Sequence, residues 1–80
     1  MQMTKEELGE RIRLYRKRGG YTQQEFAKIL GISAATLSSY ETGKTEPTID
    51  IIGKIAALYN TTTDAVLDLR IKERENPYWS

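Results

Sequence analysis

Residues 22–41 constrain the fold of this chain more than any other stretch, because they have the pattern of two short helices joined by a sharp turn. Phe26 and Leu30 are four residues apart and share one face of the first of these helices. Ala27 lies beside them, where a steep helix crossing leaves room for little more than a methyl group. Gly31 ends the helix, because glycine adopts the left-handed conformation of a tight turn without strain.

The residues after this turn predict a second short helix. Ser33 is a suitable N-cap, and Leu37 and Tyr40, three residues apart, would form the buried face. Ile32 would fill the corner between the two helices. Two helices related in this way form a helix-turn-helix, the motif that presents its second helix to the major groove of DNA. We therefore predict a recognition helix over residues 34–42.

The charge distribution is uneven, although the formal net charge is only +1. Residues 11–44 carry seven Lys or Arg and two Glu, a net charge of +5. Residues 45–80 carry four Lys or Arg and six Asp or Glu, a net charge of −2. A basic half that contains the predicted motif indicates a surface directed toward phosphate.

Composition excludes several classes of function. Eighty residues make one domain, and the absence of Cys and His excludes disulfides, most zinc sites and histidine-based catalysis. The sequence has no glycine-rich phosphate loop and no convergent carboxylate cluster, so we expect no enzymatic activity, no metal, no cofactor and no small-molecule ligand. Without a signal peptide or a long apolar run, we expect a cytoplasmic protein with no membrane partner.

Three further helices are predicted around the motif. The first is capped by Thr4 in a capping box with Glu7, the fourth by Thr48 and the fifth by Thr62. Thr22 forms a second capping box with Glu25 at the start of the first motif helix. The first helix is expected to point its arginines outward. Inward-facing residues follow a three-to-four spacing: Leu8, Ile12 and Tyr15 in the first helix, and Ile49, Ile52, Ile55, Ala56 and Tyr59 in the fourth.

The expected fold is all-α, a compact five-helix bundle without strands. We expect one helix-turn-helix domain over residues 1–71 and a C-terminal tail over 72–80, whose Tyr78 and Trp79 would pack on the bundle or on a dimer partner. Apolar residues outside the predicted core stripes are further candidates for a dimer surface: Leu14, Ile51 and Leu58.

Three sequence patterns resemble the phage repressor and Cro type (XRE-like) of helix-turn-helix family. They are T-Q-x-x-F-A-x-x-L-G-I-S at 22–33, L-S-x-Y-E-x-G-K at 37–44 and I-x-x-I-A at 52–56. The resemblance spans roughly residues 8–68 and implies a lambda-repressor-like DNA-binding domain. It further implies a sequence-specific transcriptional regulator, most often a repressor, that binds double-stranded DNA.

The resemblance also assigns roles to individual residues. Gln23 would contact a phosphate and brace the recognition helix, and Arg16 would pair with Glu41. Base edges would be read from the first turn of the recognition helix and one turn later, at Ser33, Ala34, Ala35, Thr36 and Ser39. Together with Gln23, the residues expected to contact the DNA backbone are Ser38, Thr42 and Lys44.

The side chains at the base-reading positions are short. Bidentate recognition of guanine needs Arg or Lys, and that of adenine needs Asn or Gln, so none of these side chains can supply it. Either the helix lies deep in the groove, where methyl groups and hydroxyls read thymine methyls and shape, or specificity is low and comes from dimer spacing and partners.

One module contacts too few base pairs to find a single operator, so we expect a homodimer on two half-sites about one helical turn apart. The alternative is a protein-interaction module of the same shape, antitoxin-like or a co-regulator, with weak or no DNA specificity. The short side chains of the recognition helix favour this alternative, and the basic residues 11–44 oppose it.

Overall fold

The computed structural model describes residues 4–67, which form five helices. Their bounds are α1 (Lys5–Arg18), α2 (Gln23–Leu30), α3 (Ala34–Glu41), α4 (Ile49–Leu58) and α5 (Thr63–Leu67). No strand occurs within this range, and the prediction of an all-α five-helix fold is confirmed. The tail over 72–80, with Tyr78 and Trp79, lies outside the described residues, so its packing and dimer roles stay predictions.

Side-chain caps begin all five helices, as the sequence predicted, and at α5 the Thr62 hydroxyl accepts the N–H of Ala65 at 3.0 Å. Thr4 and Glu7 form a reciprocal capping box at α1, and Thr22 and Glu25 form another at α2. In each box the threonine hydroxyl accepts the glutamate N–H, and the glutamate carboxylate accepts the threonine N–H. Each cap is worth about 1 kcal/mol, which matters for helices of only 8 to 14 residues.

The hydrophobic core receives side chains from every helix. The largest side chains that are completely buried are Ile12 from α1, Phe26 and Leu30 from α2, Leu37 from α3, Ile55 from α4 and Val66 from α5. Helix α3 packs against α1 and α2, whereas α4 packs against α2 and α5. The motif therefore sits on one side of the core, with α4 and α5 supporting it from the other.

The predicted register of α4 is wrong at two positions. Ile51, predicted to lie outside the core stripe, is 4% exposed, whereas Ile49, predicted to face inward, is 68% exposed. The buried arc is wider than a single stripe because α4 contacts α2 on one side and α5 on the other. Ile49 lies on the same face of α4 as Ala56, which is buried. It is exposed because it is the first residue of the helix, about 10 Å from Ala56 along the axis.

The prediction that the arginines of α1 point outward is wrong for Arg16, whose side chain is 13% exposed beside Glu41, and for Arg11. Arg11 is 8% exposed, and its Nη1 donates a hydrogen bond to the backbone carbonyl of Val66 at 3.2 Å. A guanidinium group beside a carbonyl in the last turn of a helix is favourable, because that end carries partial negative charge. The Arg11 side chain therefore stabilises the packing of α5 against α1.

Two tyrosines join the end of α1 to the end of α4. The Tyr59 hydroxyl donates to the carbonyl of Tyr15, and the centroids of the two rings are 5.0 Å apart. Burial raises the pKa of both hydroxyls above the ordinary value of 10.0, because the charged phenolate is poorly solvated there.

Candidate nucleic-acid interface

Helix α3 is anchored by one face. Leu37 and Tyr40 are buried in the core, as predicted, whereas Ala35 is exposed on the other side of the helix. The hydrophobic face thus fixes the rotation of α3 about its own axis. A side that carries small and hydroxyl-bearing residues is left open to solvent within the described part of the chain.

The turn between α2 and α3 has the geometry that its residues predicted. Gly31 has a φ of 74°, in the left-handed region, and Ile32 donates its N–H to the carbonyl of Ala27 at 3.0 Å. Ser33 then accepts the N–H of Thr36 at 3.0 Å and caps α3. These local hydrogen bonds set the direction in which α3 leaves the turn.

One stabilising contact at this turn was not predicted. The Lys54 ammonium group donates to the carbonyl of Leu30 at 3.0 Å and links α4 to the C-terminal end of α2. A cation at that end is favoured by the unpaired carbonyls of the last turn. Nothing in the local sequence signals this contact, because the two residues are 24 positions apart.

The predicted partners Arg16 and Glu41 form a bidentate ion pair. The Nε of Arg16 lies 2.8 Å from Oε2 of Glu41, and Nη2 lies 3.1 Å from Oε1. The Gln23 amide also donates to Oε1 of Glu41, at 3.1 Å, and Nη1 of Arg16 donates to the carbonyl of Tyr21. One carboxylate at the end of α3 thereby holds α1 and the first residue of α2 together.

The five residues predicted to read bases differ in exposure. Ser33 and Ala35 are exposed, Thr36 and Ser39 are half-buried, and Ala34 is half-buried against the core. The Ser33 hydroxyl accepts the N–H of Thr36 and donates to its Oγ1 at 2.8 Å, so local contacts occupy it. Ala35 is the member of this set that presents an exposed methyl group.

The residues predicted to contact phosphates lie at both ends of the motif. Gln23 is half-buried and holds Glu41, whereas Lys44 is exposed in the loop after α3. The Thr42 hydroxyl donates to the carbonyl of Ser38 at 3.0 Å. Basic side chains elsewhere on the first two helices are also exposed: Arg13, Lys17 and Lys28.

Two other kinds of site were searched for in residues 4–67. These residues contain no group of three or more His, Cys, Asp or Glu side chains placed to hold a metal ion. Among the described helices, none combines the length and the apolar character that crossing a bilayer requires.

Comparison with known proteins agrees with this geometry. The helix-turn-helix family profile matches residues 12–66. The HTH-type transcriptional regulator ImmR of Bacillus subtilis (strain 168) is 42% identical over 60 residues, which cover 75% of this chain and 47% of ImmR. The chain thus spans about half the length of this curated relative.

Two solved structures have the same fold. The biofilm regulator SinR in complex with DNA has a TM-score of 0.66 and 35% identity, covering 76% of this chain and 98% of that one. The P22 c2 repressor in complex with a synthetic operator has a TM-score of 0.66 and 30% identity, covering 76% and 92%. With the family profile spanning more than half of its residues, the chain belongs to the helix-turn-helix family of the phage repressor and Cro type.

Proposed function

We propose that this protein is a sequence-specific DNA-binding transcriptional regulator, a repressor, that places α3 in the major groove. The observation that carries the proposal is the orientation of α3, which buries Leu37 and Tyr40 and exposes Ala35. The two solved relatives bound to DNA support the same role. We further infer a cytoplasmic location and a role that consists of binding without catalysis.

Base recognition on this proposal depends on short side chains. The exposed methyl group of Ala35 can make an apolar contact with a thymine methyl. The hydroxyl groups of Thr36 and Ser39 can each form one hydrogen bond with a base edge. Ser33 and Ala34, the other two predicted base-reading residues, are less available to DNA, since one caps the helix and the other packs on the core. Such short groups reach the bases only if α3 enters the groove deeply.

Affinity on this proposal comes mainly from the DNA backbone. Lys44 supplies charge at the end of α3, and the N-terminus of α2 supplies backbone N–H donors beside Gln23. Ser38, in α3, and Thr42, its C-cap, are the other predicted phosphate contacts. If ~4–5 charged contacts form in a dimer, the logarithm of affinity should fall with the logarithm of salt concentration at a slope of about −4.

A homodimer on a two-half-site operator completes the proposal, because one motif specifies too few base pairs. Dimerisation would place two α3 helices in successive major grooves about one helical turn apart. The exposed side chains of Ile49 and Leu58 on α4 are available for such a contact.

Selection of bound sites from a random duplex pool, followed by mobility-shift measurements, tests the proposal. The recovered sites should show two symmetric half-sites. Lys44→Ala should weaken binding about equally on all sequences, whereas Ala35→Gln should change the preferred sequence. Unchanged preference after Ala35→Gln would remove that residue from the reading surface. A protein that shifts no DNA at micromolar concentration and low salt would instead be a protein-interaction module.

A further inference from the structure

We infer that Gly9, in α1, is a positioning residue for DNA recognition, because it allows α1 to touch the backbone of α3 and so sets the tilt of α3. The inference rests on the proposed DNA-binding function. Gly9 is buried and lies on the side of α1 opposite to solvent, far in sequence from every predicted DNA contact.

The contact at Gly9 involves backbone atoms rather than movable side chains. A Cβ atom added there would lie 2.1 Å from the carbonyl oxygen of Tyr40 and 3.0 Å from that of Glu41. Close carbon–oxygen contacts between neighbouring backbones have distances of about 3.3 Å, so any side chain at this position requires a displacement of about 1 Å between α1 and α3. The displaced atoms belong to the last turn of α3.

The same turn of α3 carries its other attachments to the body of the protein. Arg16 is seven residues after Gly9 on the same face of α1 and binds the Glu41 carboxylate, which Gln23 also contacts. Ser39, one of the predicted base-reading residues, directly precedes Tyr40 in this turn, and Ala35 lies one turn earlier. A shift at the last turn is therefore transmitted to the reading surface.

The size of that shift is large on the scale of base recognition. Helix α3 has eight residues and is about 12 Å long, so a displacement of about 1 Å at one end corresponds to a tilt of roughly 5°. Hydrogen bonds to base edges have donor–acceptor distances of about 2.7–3.2 Å and are weakened by a displacement of a few tenths of an ångström. A lysine side chain is flexible and can keep its ammonium group near a phosphate after the same displacement. Loss of sequence discrimination with retained backbone binding is the expected result.

Gly53 in α4 provides a matched control for this experiment. A Cβ atom added at Gly53 meets nothing within 4 Å, so Gly53→Ala introduces the same methyl group without a contact. Both substitutions replace a helical glycine and gain the same helix propensity. A difference between them in DNA recognition therefore reports the contact at Gly9 alone.

The test compares Gly9→Ala, Gly53→Ala and the parent for affinity to the selected operator and to random duplex, with thermal unfolding measured in parallel. We expect Gly9→Ala to lose about tenfold or more on the operator, the effect of about one mismatched base contact, and to stay within about twofold on random duplex. Gly53→Ala should match the parent on both. If Gly9 had a purely structural role, Gly9→Ala would lower the affinity for the operator and the affinity for random duplex by the same factor.

Three results would overturn the inference. The first is a folded Gly9→Ala protein that binds the operator as the parent does, and the second is one that loses both affinities equally. The third is failure of Gly9→Ala to fold even when Gly53→Ala is added to restore stability, which would show that the contact serves folding. A parent protein that shifts no DNA refutes the proposed function itself, and is recognised before any variant is made.

Discussion

Replacing Arg16 with Met should destabilise the protein far more than its position on a surface helix suggests. The side chain of Arg16 is 13% exposed and that of Glu41 is 3% exposed, so the pair is largely removed from water. Arg16→Met leaves the Glu41 carboxylate buried with the Gln23 amide as its remaining described donor. Removing one partner of a buried pair costs about 3–5 kcal/mol.

That cost is large relative to the stability of a small domain. The free energy of unfolding of small proteins is roughly 0.05–0.15 kcal/mol per residue, which gives about 4–12 kcal/mol for a chain of this size. A loss of 3 kcal/mol or more corresponds to a fall of at least about 12 °C in the thermal midpoint. Urea unfolding followed by circular dichroism measures this change. The urea concentration at the midpoint should fall, and the dependence of the free energy of unfolding on urea concentration should stay the same.

Two further variants isolate the cause. Arg16→Met combined with Glu41→Met should recover most of the loss, because no uncompensated charge stays buried. Arg13→Met, on the exposed side of α1, should change the free energy of unfolding by no more than about 0.5 kcal/mol. A cost below about 1 kcal/mol for Arg16→Met, or a double variant no more stable than the single one, would refute the reasoning.

Three other predictions concern the fold. Gly31→Ala should cost about 1–2 kcal/mol in urea unfolding, because alanine must then adopt the φ of 74°, and no loss would contradict the turn geometry. Ile51→Ala should cost about 2–5 kcal/mol and Ile49→Ala less than about 0.5, whereas equal costs would contradict the observed register of α4. The raised pKa values of Tyr15 and Tyr59 mean that the folded state keeps protons that the unfolded state releases, so their contribution to stability is complete below pH 10.0 and is lost as the pH rises above it. Unfolding curves at increasing pH should show this decline, and a free energy that stays constant through this range would contradict it.

Features encoded by neighbouring residues could be predicted from the sequence. Thr4, Thr22 and Ser33 each cap a helix by accepting the N–H group three residues later in the chain. Gly31 forms its turn through its own left-handed backbone conformation. These contacts involve a few consecutive residues, so their spacing is visible in the chain. The orientation of α3 followed in the same way from Leu37 and Tyr40, because a helix this short has only one apolar face.

Features that depend on distant neighbours could not be predicted. Ile51 is buried because α4 packs against two helices at once, and Arg11 is buried because Val66, 55 residues later, offers its carbonyl. The close approach at Gly9 has the same origin, since Tyr40 and Glu41 lie on another helix. A helical glycine between Leu8 and Glu10 gives no indication of what touches it.

The two groups of features act together on α3. Eight residues are too few to hold a helix on their own in water, so its shape depends on the cap at Ser33 and on the attachments at Glu41. Its exposed side chains are short and cannot bend to find their partners as a glutamine or an arginine can. On the proposed function, discrimination between sequences would then come from the placement of the backbone of α3. Gly9 and Arg16, which are not among the predicted DNA contacts, would therefore affect specificity as Ala35 does, because they set the position of its methyl group.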